Sequence, residues 1–285
     1  MCIAAFLWQT HPLYPFFLLL NRDEYHTRPT EPLAWWNGDE ILGGKDGLAG
    51  GTWLACARDG KIAFLTNVRE LTSLPQSKTR GDLPLRFLQS KKNPVEFGEE
   101  LVKEADHYNG FNLILADICS KTMVYVTNRL KNDQKYVTIV LPGIHVLSNA
   151  SLDTPWPKAQ RLGDNFKELL NTYNDGELPP KEIVEKLMTN TIKDDYSLLP
   201  GLYPREKEYH LSSIFVDVVS PLGRYGTRST SALAVKSNEE VSFYEKSFDS
   251  ENEEWNERTV TFHINRGEKS NNSKVTQVQP SPHLQ

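Results

Sequence analysis

Short apolar runs, each closed after a few residues by turn formers, recur through both ends of this chain. They constrain the fold more than any other feature, because runs of that length rich in β-branched and aromatic residues suit buried strands and are too short for helices. Cys2–Trp8, Phe16–Leu20, Thr52–Ala57 and Lys61–Asn67 read as strands, and Arg58-Asp59-Gly60 makes a hairpin turn between the last two. Phe111–Asp117, Met123–Thr127, Tyr136–Leu141 and Ile144–Ser148 repeat the pattern. Ser213–Val219, Ser231–Val235, Val241–Lys246 and Val260–Ile264 extend it towards the end.

Helical signals lie between these groups. Asn93-Pro94-Val95-Glu96 places a capping Asn, a first-turn Pro and a Glu at N3, with Phe97, Leu101 and Ala105 following on one face. A second helix is predicted over Pro157–Tyr173, with Ala159, Leu162, Phe166, Leu169 and Leu170 facing inward, and a third over Pro180–Met188. Many strands with helices grouped between them define the α+β class. No internal repeat or long linker divides the chain, so residues 1–265 are expected to form one domain. The polar remainder, 266–285, is expected to be a disordered tail.

Composition excludes several classes of function. Apolar residues at 39% and charged residues at 24% are ordinary for a globular protein. The net charge of -5, with both signs interspersed, argues against a nucleic-acid partner. Cysteines at 2, 56 and 119 are too scattered for a disulfide framework, and no Cys or His spacing suggests a metal. Gly43-Gly44-Lys45-Asp46-Gly47 lacks the spacing of a phosphate loop; it reads as a glycine-rich turn near a site, and no cofactor is expected. The apolar start is broken at Gln9–Pro12, so neither run approaches the roughly 18 residues of a membrane span. It also lacks a basic leader, and the cytosol is the default compartment, with mitochondria and the Golgi surface as alternatives.

Cys2 is the first candidate for chemistry. Methionine before a small residue is usually removed, which would leave the thiol and a free α-amine on one carbon, nucleophile and base together. An α-amine of pKa about 7.7–8.0 is well placed to accept a proton from a thiol near 8.5. The other reading is a small hydrophobe in a first strand. Asn21-Arg22-Asp23-Glu24 follows directly on an apolar run and can aim a guanidinium and a carboxylate at one point, or form a solvated turn. Asn67 and Asn149 end apolar runs, as oxyanion donors or as turn caps. Arg228 lies in the small-residue stretch Gly226–Ser231, as a catalytic group or in a structural ion pair. Packing is the simpler reading for His145, His210, Cys56, Cys119, Trp35 and Trp36.

Several of these segments together resemble the NRDE family, which includes the transport and Golgi organisation 2 proteins. They are the Met-Cys start, Asn21-Arg22-Asp23-Glu24, Gly50-Gly51-Thr52-Trp53-Leu54-Ala55 and Leu65-Thr66-Asn67-Val68-Arg69. Leu147-Ser148-Asn149-Ala150, Trp156-Pro157-Lys158 and Tyr225-Gly226-Thr227-Arg228-Ser229 complete the set, which runs from residue 1 to about residue 247. The resemblance implies an Ntn-hydrolase-like αββα sandwich similar to the cysteine acylases. It implies Cys2 as nucleophile, Arg22 and Asp23 as its supports, Asn67 or Asn149 as oxyanion donors and Arg228 as a late arginine. In those acylases the early Arg and Asp are separated, whereas here they are adjacent and so should face opposite sides of a strand. Either a bend follows Leu20, or only one of the pair enters the site.

Two functions follow. One is a cysteine hydrolase that takes a small-molecule amide or other acyl C–N substrate. The other is a non-catalytic scaffold whose pocket holds an apolar ligand such as haem or acyl-CoA, in a family the resemblance links to Golgi organisation, protein secretion, lipid homeostasis and haem handling. No membrane-binding helix is visible in the sequence.

Overall fold

The computed structural model describes residues 2–130, 135–265 and 274–276. The chain lays down β1 (Ile3–Trp8), β2 (Phe16–Tyr25), β3 (Thr30–Trp36), β4 (Ile41–Asp46), β5 (Leu54–Ala57) and β6 (Lys61–Asn67). Helices α1 (Asp82–Gln89) and α2 (Pro94–Val102) follow, then β7 (Phe111–Asp117), β8 (Thr122–Thr127), β9 (Val137–Ile139) and β10 (Gly143–Leu147). Next come α3 (Pro157–Tyr173), α4 (Pro180–Leu187) and α5 (Arg205–His210). The last strands are β11 (Asp217–Ser220), β12 (Gly223–Val235), β13 (Glu240–Asp249), β14 (Glu254–His263) and β15 (Lys274–Thr276).

Two antiparallel sheets form. The first has the order β10-β1-β2-β12-β13-β14-β15 with β11 also on β12, and the second runs β3 to β9 in chain order. Side-chain alternation along each strand builds three apolar layers from these two sheets. Phe6, Trp8, Leu18 and Leu20 from the first sheet meet Leu54, Phe64 and Ile114 from the second between the sheets. Phe6 and Phe64 are centred 5.4 Å apart at 74°, an edge-to-face contact that ties the sheets together. On the outer side of the first sheet, Ile3, Leu7, Phe17 and Leu19 pack on Leu162 and Phe166 of α3 and Ile183 of α4. Ala63, Leu65 and Leu113 on the outer side of the second sheet pack on Phe87 of α1 and Phe97 of α2. The result is the four-layer αββα sandwich, in which each fully withdrawn large side chain contributes about 1.5–3 kcal/mol.

Local chemistry explains most boundaries. The Asn93 side chain accepts from the Val95 and Glu96 N–H groups at 3.0 Å each, and Glu96 accepts from the Asn93 N–H at 3.1 Å, the capping box that the sequence spells. The differences are instructive. β2 runs on through Tyr25, well past the apolar run that ends at Leu20. Within Ser213–Val219, pairing begins only at Asp217. Gly43 and Gly44 belong to strand β4 instead of a turn, and a reason is space: a Cβ on Gly43 would stand 2.7 Å from that of Ala55, and one on Gly44 2.4 Å from the Trp53 ring. The disordered tail expected over 266–285 lies outside the described residues except for β15, which pairs with β14.

Gly51 sets the placement of the segment before α1. A Cβ there would lie 2.3 Å from the Gly81 carbonyl carbon, and the Thr52 N–H donates to Gly81 O at 2.9 Å. Gly51→Ala therefore forces backbone away from backbone, and urea unfolding should show a loss of about 1–3 kcal/mol.

Candidate active site

The site grows from the polar end of β2. Ile3 pairs with Asn21, and continuing that register one step sets Cys2 beside Arg22. Leu18 and Leu20 face the second sheet, so strict alternation sends Arg22 the same way. Its guanidinium lies 4.2 Å over the Trp53 ring, donates to Thr30 Oγ1 at 3.1 Å and reaches Asp46 Oδ2 at 3.4 Å. Asn21 and Asp23 face the helical side. Asn21 donates to the Met188 and Ile214 carbonyls at 2.8 and 3.0 Å, and Asp23 Oδ1 accepts from the Thr227 hydroxyl at 2.8 Å. No bend follows Leu20. Opposite faces hold, yet Arg22 and Asp23 both line one cavity because it opens at the end of the sheet.

That cavity measures about 290 Å³, and Cys2, Arg22, Asp23 and Asn67 line it together. Cys2 is buried, and burial pushes its thiol up, as does the Asp23 charge; the Asp23 backbone N–H and Arg22 pull the other way without prevailing. Burial likewise raises Asp23, against the pull of Lys158 and the Thr227 hydroxyl. Water is largely withdrawn from both groups, so their charged forms depend on neighbours that supply the missing solvation.

Asn67, at the end of β6, reaches the cavity, whereas Asn149 stands behind it. Asn149 Nδ2 donates to Asn67 O at 2.8 Å, and the Asn149 carbonyl accepts from the Arg69 N–H at 2.8 Å. Asn149 is thus a brace for Asn67. Beside it, the Ser148 hydroxyl donates to Cys2 O at 3.3 Å. Arg228 is not among the cavity's lining residues either. Thr227 pairs with Asp23 and Ser229 with Arg22, so Arg228 is the extra residue of a β-bulge. Its guanidinium holds Tyr25 O at 3.3 Å, Arg28 O, and Ser250 Oγ at 3.0 Å.

The sequence reading missed Lys158, although it sits in one of the segments quoted for the family. Lys158 is buried, donates to Leu211 O at 2.9 Å, and interacts electrostatically with both Asp23 and Cys2. Burial lowers it to about 8. One signal was present: Lys158 lies four residues before Leu162 on the apolar stripe of α3, where a charge has no ordinary reason to stand. Arg80 and Tyr225 also interact with the Cys2 charge, and neither stands out in sequence. Among the described residues no cluster of His, Cys, Asp and Glu is disposed to hold a metal. His145 is held by Asp153 at 2.7 Å and Leu141 O at 2.9 Å, while Cys56 is core and Cys119 only half-buried.

This fold has a solved counterpart. A variant of the conjugated bile acid hydrolase from Clostridium perfringens superposes with a TM-score of 0.54 over 100% of both chains at 10% identity, which places the present fold in the Ntn-hydrolase-like class. The family model for transport and Golgi organisation 2 matches residues 1–250. The Mus musculus transport and Golgi organization 2 homolog is 31% identical over 278 residues, covering 92% of this chain and 99% of its own. The Homo sapiens homolog is 32% identical over 278 residues with the same coverage. The chain belongs to the transport and Golgi organisation 2 family. Among the described residues no helix is long and apolar enough to cross a membrane.

Arg22 also feels a buried carboxyl from the next strand pair. Glu245 on β13 is fully buried, accepts from the Leu33 N–H at 2.7 Å, and is pushed up by burial to about 7 despite Arg258 and Arg22. The folded state therefore keeps a proton that the unfolded chain releases from its ordinary value of 4.5. Between those values unfolding releases that proton, so the Glu245 contribution to stability falls as pH rises through the window and levels off above it. Glu245→Gln keeps the acceptor for Leu33 and removes the titration. Its melting temperature relative to the unsubstituted protein should rise from pH 5 to 7 and stay flat above.

Proposed function

We propose that this protein is a cysteine amidohydrolase that acts on a small linear amide or other acyl C–N bond, with Cys2 as nucleophile. The observation that carries the reading is the convergence of Cys2, Arg22, Asp23 and Asn67 on one cavity. With Met1 removed, the Cys2 α-amine accepts the thiol proton while sulfur adds to the substrate carbonyl carbon. The Asn67 side chain donates to the resulting oxyanion, a role supported by its position in the cavity lining and by the Asn149 amide on its backbone carbonyl. Collapse breaks the C–N bond, and the α-ammonium returns its proton to the departing amine. Water then attacks the thioester, passing its proton to the α-amine, and releases the acid and the thiol.

Asp23 stabilises the ammonium form of that amine, and Lys158 and Thr227 help to keep Asp23 ionised. The lining favours a polar acyl group: Arg22, Arg28, Arg80 and Lys78 stand among its members, with few apolar side chains besides Trp53, Ala49 and Leu65. That composition fits haem or a long acyl chain poorly. The names of the relatives tie them to transport and Golgi organisation, and we take the same setting for this chain, with secretion, lipid balance and haem handling as processes its product could serve.

Intact mass before and after reaction with p-nitrophenyl acetate tests the reading. Loss of Met1 and a single acetyl group on Cys2 are expected. Cys2→Ala should abolish labelling, and Asp23→Asn should slow it by about tenfold or more, the effect of roughly one pKa unit at the activated amine–thiol pair. A retained Met1, or a Cys2 that stays unlabelled in the processed chain, sinks the catalytic reading and leaves a binding scaffold.

A further inference from the structure

A second cavity, about 710 Å³, lies against the same structural partition as the first. Trp53 and Arg28 line both cavities, and Arg22, stacked on Trp53, lines the first. The second is bounded by the β2–β3 turn, by the bulge at Arg228 and by β13 and its turn. From the geometry we infer that this cavity is a binding site for a single carboxylate group of an organic ligand, received by Arg228 and Ser229. The inference is independent of the Cys2 chemistry.

Unpartnered donors are the first support. Arg228 and Ser229 are 5% and 1% exposed and line the cavity. Among the described residues Arg228 Nε and Ser229 Oγ have no hydrogen-bond partner. A buried polar group left unpaired loses its solvation with nothing in return. A guanidinium N–H and a hydroxyl, both donors, are groups that hold carboxylate oxygens, and a carboxylate there would remove that cost.

Charge is the second support. Two guanidiniums meet at Thr30, since Arg22 and Arg228 both donate to its hydroxyl, at 3.1 and 3.4 Å, and the hydroxyl donates to the Arg28 carbonyl at 3.2 Å. Arg28 pairs with Asp46 at 2.6 Å and Glu24 at 3.9 Å, while Arg22 shares Asp46 at 3.4 Å. Arg228 bonds to carbonyls and hydroxyls and makes no ion pair among the described residues. Its charge is answered only at longer range, by Glu24 and Asp249, which leaves its direct contact open to a monoanion. Other acidic side chains of the cavity disfavour a dianion such as phosphate. Glu31 and Glu251 stand exposed at its rim, Glu245 is buried in its wall, and Asp249, which acts on Arg228 at a distance, is held by the turn amides of Glu251 and Asn252. His26, which also lines the cavity, is lowered to about 4 by burial and by Arg224 and Arg228, so at neutral pH it adds no charge.

The test compares benzoate with its neutral isostere benzamide at fixed ionic strength, using calorimetry and the arginine Nε–H resonances of the ¹⁵N-labelled full chain. Saturable benzoate binding is expected, with an arginine Nε–H resonance moving and benzamide without effect. Ser229→Ala leaves the carbonyl clamp of Arg228 intact and should weaken benzoate by about tenfold. Arg228→Gln should abolish binding, and because it also releases the clamp, Ser229→Ala is the decisive variant. Equal binding of benzamide, no saturable benzoate binding, or benzoate affinity unchanged by Ser229→Ala would each overturn the inference.

Discussion

The pairing of β2 on both of its edges is the interaction on which the rest of the structure depends. β1 takes one edge and β12 the other, and the pairing with β12 persists through Asn21, Arg22, Asp23 and Glu24, where apolar burial no longer holds the strand. Because the ladder continues, alternation continues, and neighbouring charged residues are sent to opposite faces. Arg22 is thereby committed to Trp53 and the second sheet, while Asp23 is committed to Thr227 and the helical side. The bulge at Arg228 accommodates this arrangement. It absorbs one residue of β12, so that Thr227 and Ser229 both stay in register with β2.

Burial is the electrostatic theme of the whole region. Cys2, Asp23, Lys158 and Glu245 are each shifted towards their neutral forms, and in each the leading cause is desolvation. In such surroundings the charged state of each group is expensive, and it forms only where a neighbour supplies the lost solvation. Arg69 illustrates the alternative. It too is buried, but Glu208 at 3.3 Å and the Trp156 ring at 4.6 Å hold it in a fixed structural pair.

Most of the fold was legible because apolar periodicity is a strong signal where one face of an element is buried. β6 and α3 run as the pattern indicates, and the capping box before α2 is spelled out by Asn93 and Glu96. The polar half of β2 was not legible, since alternation cannot be seen once the residues on both faces are polar. β4 was hidden by Gly43 and Gly44, whose bare backbone admits Ala55 of the next strand and Trp53 just before it, a pairing that glycine in a run does not announce. The candidate residues themselves were visible as types in motifs, while their division of labour was not. Nothing local shows that Asn149 braces Asn67, or that Arg228 fills a bulge; both depend on pairings across long stretches of chain.

β1 lies inside its sheet, between β2 and β10, and β2 in turn needs β12. The surroundings of Cys2 therefore cannot close until residues 223–235 have been made. At ribosomal rates of about 5–20 residues per second, the start of the chain stays open for on the order of ten seconds or more. During synthesis the segment around Cys2 is thus exposed, and it is sealed only when the last third of the polypeptide arrives. Strand order in this fold acts as a clock: it puts any chemistry that needs Cys2 exposed before the assembly of the cavity that encloses it.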